Sequence, residues 1–362
     1  IKIQNKMISI IGAGPAGCHT AYLLSKNNLE VNVFEDHSQI GKPVQCTGIV
    51  TSAIKDIIPL NKKFLVNKIN EVEVFSPNNK NIELKLKNPN YVLDREKFDR
   101  FLAEKAEKAG AKIYLNHKFV DFKKPYILFD NKKHYKTDIL IGADGPLSKV
   151  AKVTGLYKKR EFVIGLQARI SSRFKKSLVE FYLEKDYFGW IVPESTDSAR
   201  VGIATKNNAK LHFKNFLKRI NKNYRTKEYQ SGIIPLYNPS VKTQTDSVYL
   251  VGDAATMVKP TTYGGIVQGL MASEELAKAI INNQNYEKLW RKRIGKELGY
   301  GLMIRKTMDN FSSKDYDELI DLVNKGGVKR VLSSIDRDFP SKMIFKLALK
   351  QPKLLKFIKN LY

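Results

Sequence analysis

Short apolar runs recur along the chain and predict the buried strands of a parallel β-sheet. Residues 7–11 form one such run, residues 29–34 and 112–115 are predicted as further strands, and two more strands begin near residues 137 and 247. Continuous apolar runs of this kind are typical of strands that are covered on both faces. Segments whose apolar residues recur at helical spacing lie between several of these strands, so the pattern predicts an α/β fold.

Apolar residues at helical spacing follow the acidic segment near residue 94. Asp94 stands where an N-cap is expected, and Gly110 stands where the helix should end. Between them, Phe98, Phe101 and Leu102 recur on one helical face. Further helices are predicted at residues 18–25, 211–220 and 265–282, and from residue 286 to the end of the chain.

Alternating apolar and polar residues mark two strand-rich blocks. Residues 64–93 predict a hairpin with its turn at 76–79, and residues 160–236 predict several more strands. The sequence therefore predicts three parts: a discontinuous Rossmann-like dinucleotide-binding domain at 7–60, 94–156 and 246–285, an inserted antiparallel β substrate domain at 61–93 and 157–245, and a helical C-terminal region at 286–362.

The segment GAGPAG after the first apolar run has the spacing G-x-G-x-x-G. In such a turn, Gly12 permits a sharp bend, Gly14 leaves room for a pyrophosphate, and Gly17 lets the helix pack closely on its strand. Pro15 suits the first turn of that helix, whose N-terminus attracts phosphate. Glu35 follows about 20 residues later, where an acid binds ribose hydroxyls. An ordinary βαβ unit with a glycine turn is the alternative.

Lysine and arginine outnumber aspartate and glutamate by 63 to 36, which gives a formal net charge of +27. Such a charge suits nucleic acid, an anionic membrane surface or an acidic ligand. The lysines are scattered among many isoleucine and asparagine residues, so a codon bias is the alternative explanation. No zinc-finger, RRM-like or basic-zipper pattern accompanies the charge, which disfavours specific nucleic-acid binding.

The two cysteines, Cys18 and Cys46, are too few for a disulfide framework or a metal site. We therefore expect a reducing compartment and no bound metal. No apolar run approaches the roughly 20 residues that span a bilayer, and residues 1–6 lack the apolar stretch of a signal peptide. The sequence thus predicts a cytoplasmic protein.

Four ordered motifs resemble one family of flavoproteins over nearly the whole chain. GAGPAG with Glu35, DREKFDRFL, GADGPLSKV and VGDAATMVKPTTYGGI look like the FAD-dependent monooxygenase and reductase superfamily of the para-hydroxybenzoate hydroxylase type. Within it, PVQCTGIV, FGWIVP and KPTTYGGI resemble the geranylgeranyl reductase family, which saturates isoprenoid chains, notably those of archaeal membrane lipids. The chain departs from that family's pattern at Phe188, Val192 and Ala204, where the family has Tyr, Phe and Gly.

The resemblance implies FAD as cofactor and assigns roles along it. Arg95 would lie along FAD, Asp253 would hold the ribityl chain, and the backbone of Gly264 and Gly265 would face the flavin pyrimidine ring. Taken singly, Arg95 could be a solvated helix charge and Asp253 a turn acid. The implied FAD-contacting residues are Gly12, Gly14, Pro15, Ala16, Gly17, Glu35, Cys46, Arg95, Asp144, Gly252, Asp253, Gly264, Gly265 and Ile266.

The resemblance also implies a substrate pocket and a catalytic cysteine. The pocket residues would be Phe188, Trp190, Pro193 and Tyr263, although FGWIVP could instead be a simple core strand. Cys46 would face the flavin beside the substrate. Because an isolated alkene has no carbonyl to accept charge, hydride addition needs a proton at the other carbon, and a thiol protonated at pH 7 could deliver it. A small buried hydrophobe is the alternative role for Cys46.

These features favour an FAD-dependent reductase of geranylgeranyl chains in archaeal-type membrane lipid biosynthesis. An FAD-dependent monooxygenase acting on an apolar substrate and a non-enzymatic basic nucleic-acid-binding protein are the alternatives. Since the chain has one dinucleotide fingerprint, the reductant, NAD(P)H or a ferredoxin-like donor, would visit without a domain of its own. The partners expected are an isoprenoid lipid and that donor, and the protein is expected to be a monomer.

Residues 339–362 combine apolar side chains with six lysines at helical spacing. A basic amphipathic helix of this kind is typical of peripheral contact with an anionic membrane, here the inner face of the cell membrane. The alternative is that the apolar stripe packs on the protein and the lysines face solvent.

Overall fold

The computed structural model describes residues 6–220, 223–325 and 327–361. Within these ranges the strands are β1 Ile8–Ile11, β2 Val31–Phe34, β3 Ile49–Val50, β4 Leu65–Phe75, β5 Asn81–Leu93, β6 Lys112–Tyr114, β7 Phe119–Lys123, β8 Tyr126–Phe129, β9 His134–Lys136, β10 Ile139–Gly142, β11 Phe162–Ser171, β12 Leu178–Leu183, β13 Tyr187–Pro193, β14 Ser198–Thr205, β15 Arg225–Pro235 and β16 Val248–Leu250. The α-helices are α1 Pro15–Ser25, α2 Arg95–Lys108, α3 Lys149–Val153, α4 Ala209–Arg219, α5 Ile266–Ile281, α6 Tyr286–Trp290, α7 Lys296–Asp309, α8 Ser313–Asn324, α9 Val328–Ser334 and α10 Pro340–Lys350. Short 3-10 helices lie at Ser52–Asp56, Gly252–Ala255 and Pro352–Leu361.

The five predicted strands form one parallel sheet in the order β16-β10-β1-β2-β6. β1 and β10 are buried at every position, as expected for strands covered on both faces. Helix α1 packs against both α2 and α5. The α/β, Rossmann-like prediction is confirmed, and the edge of the sheet where β1 ends is the place where such folds bind nucleotides.

A second sheet of eight strands has the order β15-β11-β14-β13-β12-β4-β5-β3. Neighbouring strands are antiparallel, as predicted, except that β4 and β12 are parallel. The exception has a topological cause, because antiparallel neighbours can be joined by a tight turn whereas a parallel pair needs a crossover. Here the chain forms β6 and β10 of the first sheet between β4 and β12.

A third sheet of three short strands, β7-β8-β9, was not predicted from the sequence. Its aromatic side chains pack on the end of β2, where the ring of Phe34 lies 4.7 Å from that of Phe129 and 4.8 Å from that of Tyr135. Each strand has at most five residues and is flanked by lysines, so its alternation is too short to stand out.

The C-terminal region is helical, as predicted, and covers one face of the eight-stranded sheet. Ile320 and Val323 of α8 and Val328 of α9 share a core with Phe181 and Phe188 of the sheet. A cavity lies between the two sheets, and Arg337, which follows α9, also borders it. Among the described residues, no helix has the length and hydrophobicity that crossing a bilayer requires. The division of the chain into three domains stays a prediction.

Candidate functional site

A large cavity opens between the parallel sheet and the eight-stranded sheet. One wall is formed by the glycine turns of the first sheet, and the facing wall is formed by aromatic side chains of the second. Most of the residues predicted to form a site meet there: Gly14, Pro15, Ala16, Cys46, Arg95, Phe188, Trp190, Gly252, Asp253, Tyr263, Gly264, Gly265 and Ile266.

The three glycines of the turn after β1 differ in the space around them: two pack against backbone atoms and one faces the cavity. Gly12 has φ +103°, and a Cβ there would lie 2.4 Å from the Ala143 carbonyl oxygen. A Cβ on Gly17 would lie 2.0 Å from the Gly12 carbonyl oxygen, so this position must be bare for α1 to approach its strand. At Gly14, by contrast, an added Cβ would meet no atom within 4 Å, because the position faces the cavity.

Two helix N-termini open on the cavity. Gly14 is the N-cap of α1 and Gly265 is the N-cap of α5, and neither has a side chain to satisfy the first free N–H groups. Such ends attract anions through their N–H donors and the helix dipole.

Three residues predicted to contact FAD or substrate, Glu35, Asp144 and Pro193, lie outside the cavity lining. Glu35 is beside the glycine turn, where its carboxylate accepts hydrogen bonds from Ala13 N at 2.8 Å and from His37 N at 3.1 Å. Burial raises the pKa of Glu35, although these N–H donors oppose the shift. The Asp144 carboxylate accepts hydrogen bonds from Val150 N at 2.9 Å and from the Ser148 hydroxyl at 2.6 Å, and the Pro193 carbonyl accepts one from the buried Asn67. Neither Asp144 nor Pro193 borders the cavity, and their predicted roles stay predictions.

Arg95 and Asp253 bring opposite charges to the cavity wall. Two parallel hydrogen bonds join Arg95 to Asp99, Nε to Oδ1 at 3.0 Å and Nη2 to Oδ2 at 2.9 Å. Burial lowers the pKa of Arg95, but Asp99 and the Cys46 side chain outweigh burial and hold this pKa above its usual range. Burial raises the pKa of Asp253 to about 6, against the opposing charges of Arg95 and Arg160. Within the described chain, the Asp253 carboxylate accepts no hydrogen bond.

The loop that carries Cys46 is held at several points. Gly48 N donates a hydrogen bond to the Cys46 sulfur at 3.3 Å, in a turn where Gly48 has φ +77°. Thr47 donates to Gln167 of the second sheet at 2.8 Å, and Arg200 Nη1 donates to the Cys46 carbonyl at 2.5 Å. These contacts fix the thiol at the cavity wall, between the two sheets.

Arg200 is itself held by a buried ion pair. Its Nε lies 3.0 Å from Glu194 Oε1, and the Arg169 Nε lies 2.6 Å from the second oxygen of the same carboxylate. Both Arg200 and Glu194 are buried. Removing one partner of such a pair leaves an uncompensated charge, so the pair anchors the Cys46 loop from behind.

The facing wall is aromatic and tightly packed. The Phe188 ring lies 5.4 Å from Phe181, 6.3 Å from Trp190 and 6.2 Å from Tyr263. A Cβ on Gly202 would come within 2.6 Å of the Trp190 ring, so the glycine makes room for the indole. These rings border the cavity, which gives FGWIVP a pocket position in addition to its place in a core strand.

Sequence reasoning missed several residues of the cavity. Gln167 accepts from Thr47 and lies 3.3 Å from Trp190 Nε1, and Lys259 and Arg337 also border the space. Lys259 stands within the KPTTYGGI motif and could have been found there. Gln167 and Arg337 carry no local pattern, because the chain brings them to the cavity only through its topology.

Comparison with known proteins agrees with this geometry. A family model described as an NAD(P)-binding Rossmann-like domain matches residues 10–47. The chain is 30% identical over 393 residues to a protein named digeranylgeranylglycerophospholipid reductase 3 from Methanosphaera stadtmanae, an alignment that covers 96% of this chain and 99% of that one. The chain belongs to this reductase family.

Other comparisons extend over the full length of the fold. A family member named digeranylgeranylglycerophospholipid reductase from Methanocaldococcus jannaschii is 29% identical over 98% of this chain and 97% of its own. A solved structure, described as geranylgeranyl bacteriochlorophyll reductase-like, comes from Thermoplasma acidophilum. It has a TM-score of 0.84 and 23% identity, and covers 99% of this chain and 100% of that one. The family therefore has a solved neighbour with the same fold.

Proposed function

We propose that the protein is an FAD-dependent reductase that saturates the C=C bonds of geranylgeranyl chains, in a phospholipid precursor of archaeal-type membranes. One observation carries the proposal: the Cys46 thiol lies in a cavity that has nucleotide-binding turns on one side and stacked aromatic rings on the other. Membership of a family whose relatives are named for this activity supports it.

The cavity residues fit FAD. The open position at Gly14 and the N-terminus of α1 suit a pyrophosphate, and Glu35 stands at the end of β2 where a ribose would bind. The half-buried Asp253 carboxylate, which has no hydrogen-bond donor among the described residues, suits hydroxyl groups of a ribityl chain. The N-terminus of α5 would stabilise negative charge on a reduced flavin ring.

The reaction adds two hydrogens to an isolated alkene. When bound and reduced, FAD supplies a hydride to one alkene carbon. In this proposal the Cys46 thiol gives its proton to the other carbon, so a C–H bond forms as the S–H bond breaks. Gly48 N–H donates to the Cys46 sulfur, which would regain its proton from water. The aromatic rings of Phe181 and Phe188 exclude water around the chain.

Reduction of a defined lipid tests the proposal directly. The purified holoenzyme should show a flavin spectrum, be bleached by dithionite without oxygen, and regain its colour when a digeranylgeranyl phospholipid is added. Mass spectrometry should then find two hydrogens gained for every double bond lost. A product that has gained oxygen, formed with oxygen uptake, would identify a monooxygenase, and a colourless protein would contradict both assignments.

The electron donor is proposed to be NAD(P)H or a ferredoxin-like protein. A single dinucleotide fingerprint, at residues 12–17, leaves no second nucleotide domain among the described residues, so the donor would bind transiently. Anaerobic bleaching of the flavin by NADH, NADPH or reduced ferredoxin compares the candidates. The protein is proposed to act as a monomer, which size-exclusion chromatography tests.

We also propose that α10 binds peripherally to an anionic membrane. Phe345 and Leu349, one turn apart, are each 68% exposed, and Lys342, Lys346 and Lys350 lie exposed beside them. Apolar side chains rimmed by basic ones suit a surface of anionic lipid. Other apolar residues of this segment, such as Leu347 and Leu354, pack on the protein. The side chains of Leu355, Ile358, Lys359 and Leu361 lie outside the described residues.

Replacing both Phe345 and Leu349 by serine should weaken binding to anionic liposomes by about tenfold or more, because two large apolar side chains no longer enter the lipid. Leu211→Ser is the matched control, since Leu211 is 55% exposed on α4. Sedimentation with anionic and zwitterionic vesicles at low and high salt measures the effect. Equal binding of the double variant and the intact protein would remove α10 as the contact.

A further inference from the structure

Arg337 borders the same cavity on the side of the C-terminal region. Its guanidinium carbon lies over the ring of Phe181, 4.9 Å from the centroid. No residue of the described ranges accepts a hydrogen bond from this guanidinium or pairs with it as an ion. Burial lowers the pKa of Arg337, against the opposing charges of Asp338 and Asp336. An arginine with free donors thus faces the aromatic wall.

The two acids beside Arg337 are occupied by other donors. The buried Asp338 carboxylate lies 2.6 Å from Lys259 Nζ, accepts from Gln268 Nε2 at 2.7 Å, and also accepts from Thr51. These partners hold its pKa below the usual range despite burial.

Asp336 accepts from Ser52 at 2.5 Å. Both neighbouring carboxylates are thus held by other donors, and neither accepts a hydrogen bond from the Arg337 guanidinium, which lies over the Phe181 ring.

Placing an unpaired guanidinium in an aromatic cavity is unfavourable, because stacking on one ring stabilises the charge less than water and counter-ions do. An anionic ligand removes this cost. The planar guanidinium matches phosphate oxygens in a bidentate arrangement, which makes arginine the side chain of choice for phosphate.

We propose that Arg337 binds the phosphoryl group of the isoprenoid lipid, while the chain lies along Phe181 and Phe188 towards Cys46. The proposal rests on the proposed function for its chain, and on the cavity geometry for its anion. It makes Arg337 a residue that selects phosphorylated isoprenoids over uncharged ones.

Binding to the oxidised holoenzyme tests this site without turnover. Isothermal titration calorimetry with geranylgeranyl phosphate and with geranylgeraniol compares the intact protein with Arg337→Gln and Arg337→Lys. We expect Arg337→Gln to lower the affinity for geranylgeranyl phosphate by about 10- to 100-fold and to leave the affinity for geranylgeraniol unchanged. Arg337→Lys keeps a point charge, so its affinity for geranylgeranyl phosphate should lie between those of the intact protein and of Arg337→Gln. Equal losses for both ligands, or no loss for the phosphate, would overturn the assignment.

Two controls separate other causes. Arg330→Gln removes a charge from the exposed face of α9 and should bind geranylgeranyl phosphate as the intact protein does. Flavin content and bleaching by dithionite should be unchanged in Arg337→Gln, which shows that the variant folds. Inorganic phosphate should compete weakly, and if it binds as tightly as the lipid phosphate, the site belongs to a free phosphate instead.

The binding data, compared with assays of reduction, distinguish a failure of the proposed function from a failure of the phosphoryl site. If no isoprenoid is reduced but geranylgeranyl phosphate still depends on Arg337, the proposed function fails and the phosphoryl site stands. If reduction proceeds equally with phosphate and alcohol in the intact protein and in Arg337→Gln, the reductase stands and the phosphoryl site fails.

Discussion

Gly14→Val should yield a folded protein that binds FAD about 10- to 100-fold more weakly than the intact protein. Gly14 has ordinary extended backbone angles, and a Cβ there meets no atom, so the apoprotein should accept valine without strain. The side chain would occupy the space proposed for the pyrophosphate, and overpacking of this kind costs about 1–3 kcal/mol. Flavin content after purification and titration of the apoprotein with FAD measure the loss.

Gly17→Val is the matched comparison in the same turn. Its Cβ would lie 2.0 Å from the Gly12 carbonyl oxygen, so this variant should lose the fold itself, seen as a lower midpoint of thermal unfolding or as insoluble protein. If Gly14→Val retains full FAD affinity, the pyrophosphate does not lie where we place it.

Cys46→Ala should slow alkene saturation by about 100- to 10,000-fold, the usual contribution of a positioned proton donor. Bleaching of the flavin by dithionite should stay normal, because the thiol acts only after the cofactor is reduced. Single-turnover reoxidation of the reduced holoenzyme by the lipid measures the step without interference from the electron donor.

Two further observations decide between proton transfer and packing for Cys46. Cys46→Ser keeps a small hydrogen-bonding group and should still be slow, since a hydroxyl is a far weaker acid than a thiol. Iodoacetamide should label Cys46 and spare Cys18, which is fully buried and whose pKa burial raises well above its usual value. Full turnover in Cys46→Ala would leave only a packing role.

Elements with local logic were predictable from the sequence. The G-x-G-x-x-G spacing predicted the glycine turn. The predicted N-cap at Asp94 is confirmed, since its carboxylate accepts a hydrogen bond from Lys97 N at 3.1 Å. The central strands β1 and β10 of the parallel sheet are buried at every position and carry apolar runs because both of their faces are covered. The roles of the predicted site residues stay predictions, although most of these residues meet in one cavity.

Features made by long-range convergence were not predictable. Thr51 and Asp338 are 287 residues apart, and Arg200 and Cys46 are 154 residues apart, yet each pair shares a hydrogen bond. No periodicity of 2 or 3.6 residues encodes such a meeting. It arises only after the sheets have placed their loops, so a lone arginine such as Arg337 reads as an ordinary surface charge in the sequence.

The strand order of the parallel sheet has a consequence for synthesis on the ribosome. β10 is flanked by β1, made long before it, and by β16, which is translated only after all eight strands of the second sheet. At roughly 5–20 residues per second, the edge of β10 waits on the order of 10 s for its partner. During that interval its unpaired N–H and C=O groups can template pairing with another chain. Nascent chains that stall between residues 142 and 248 should therefore be the species that chaperones must hold in the cell.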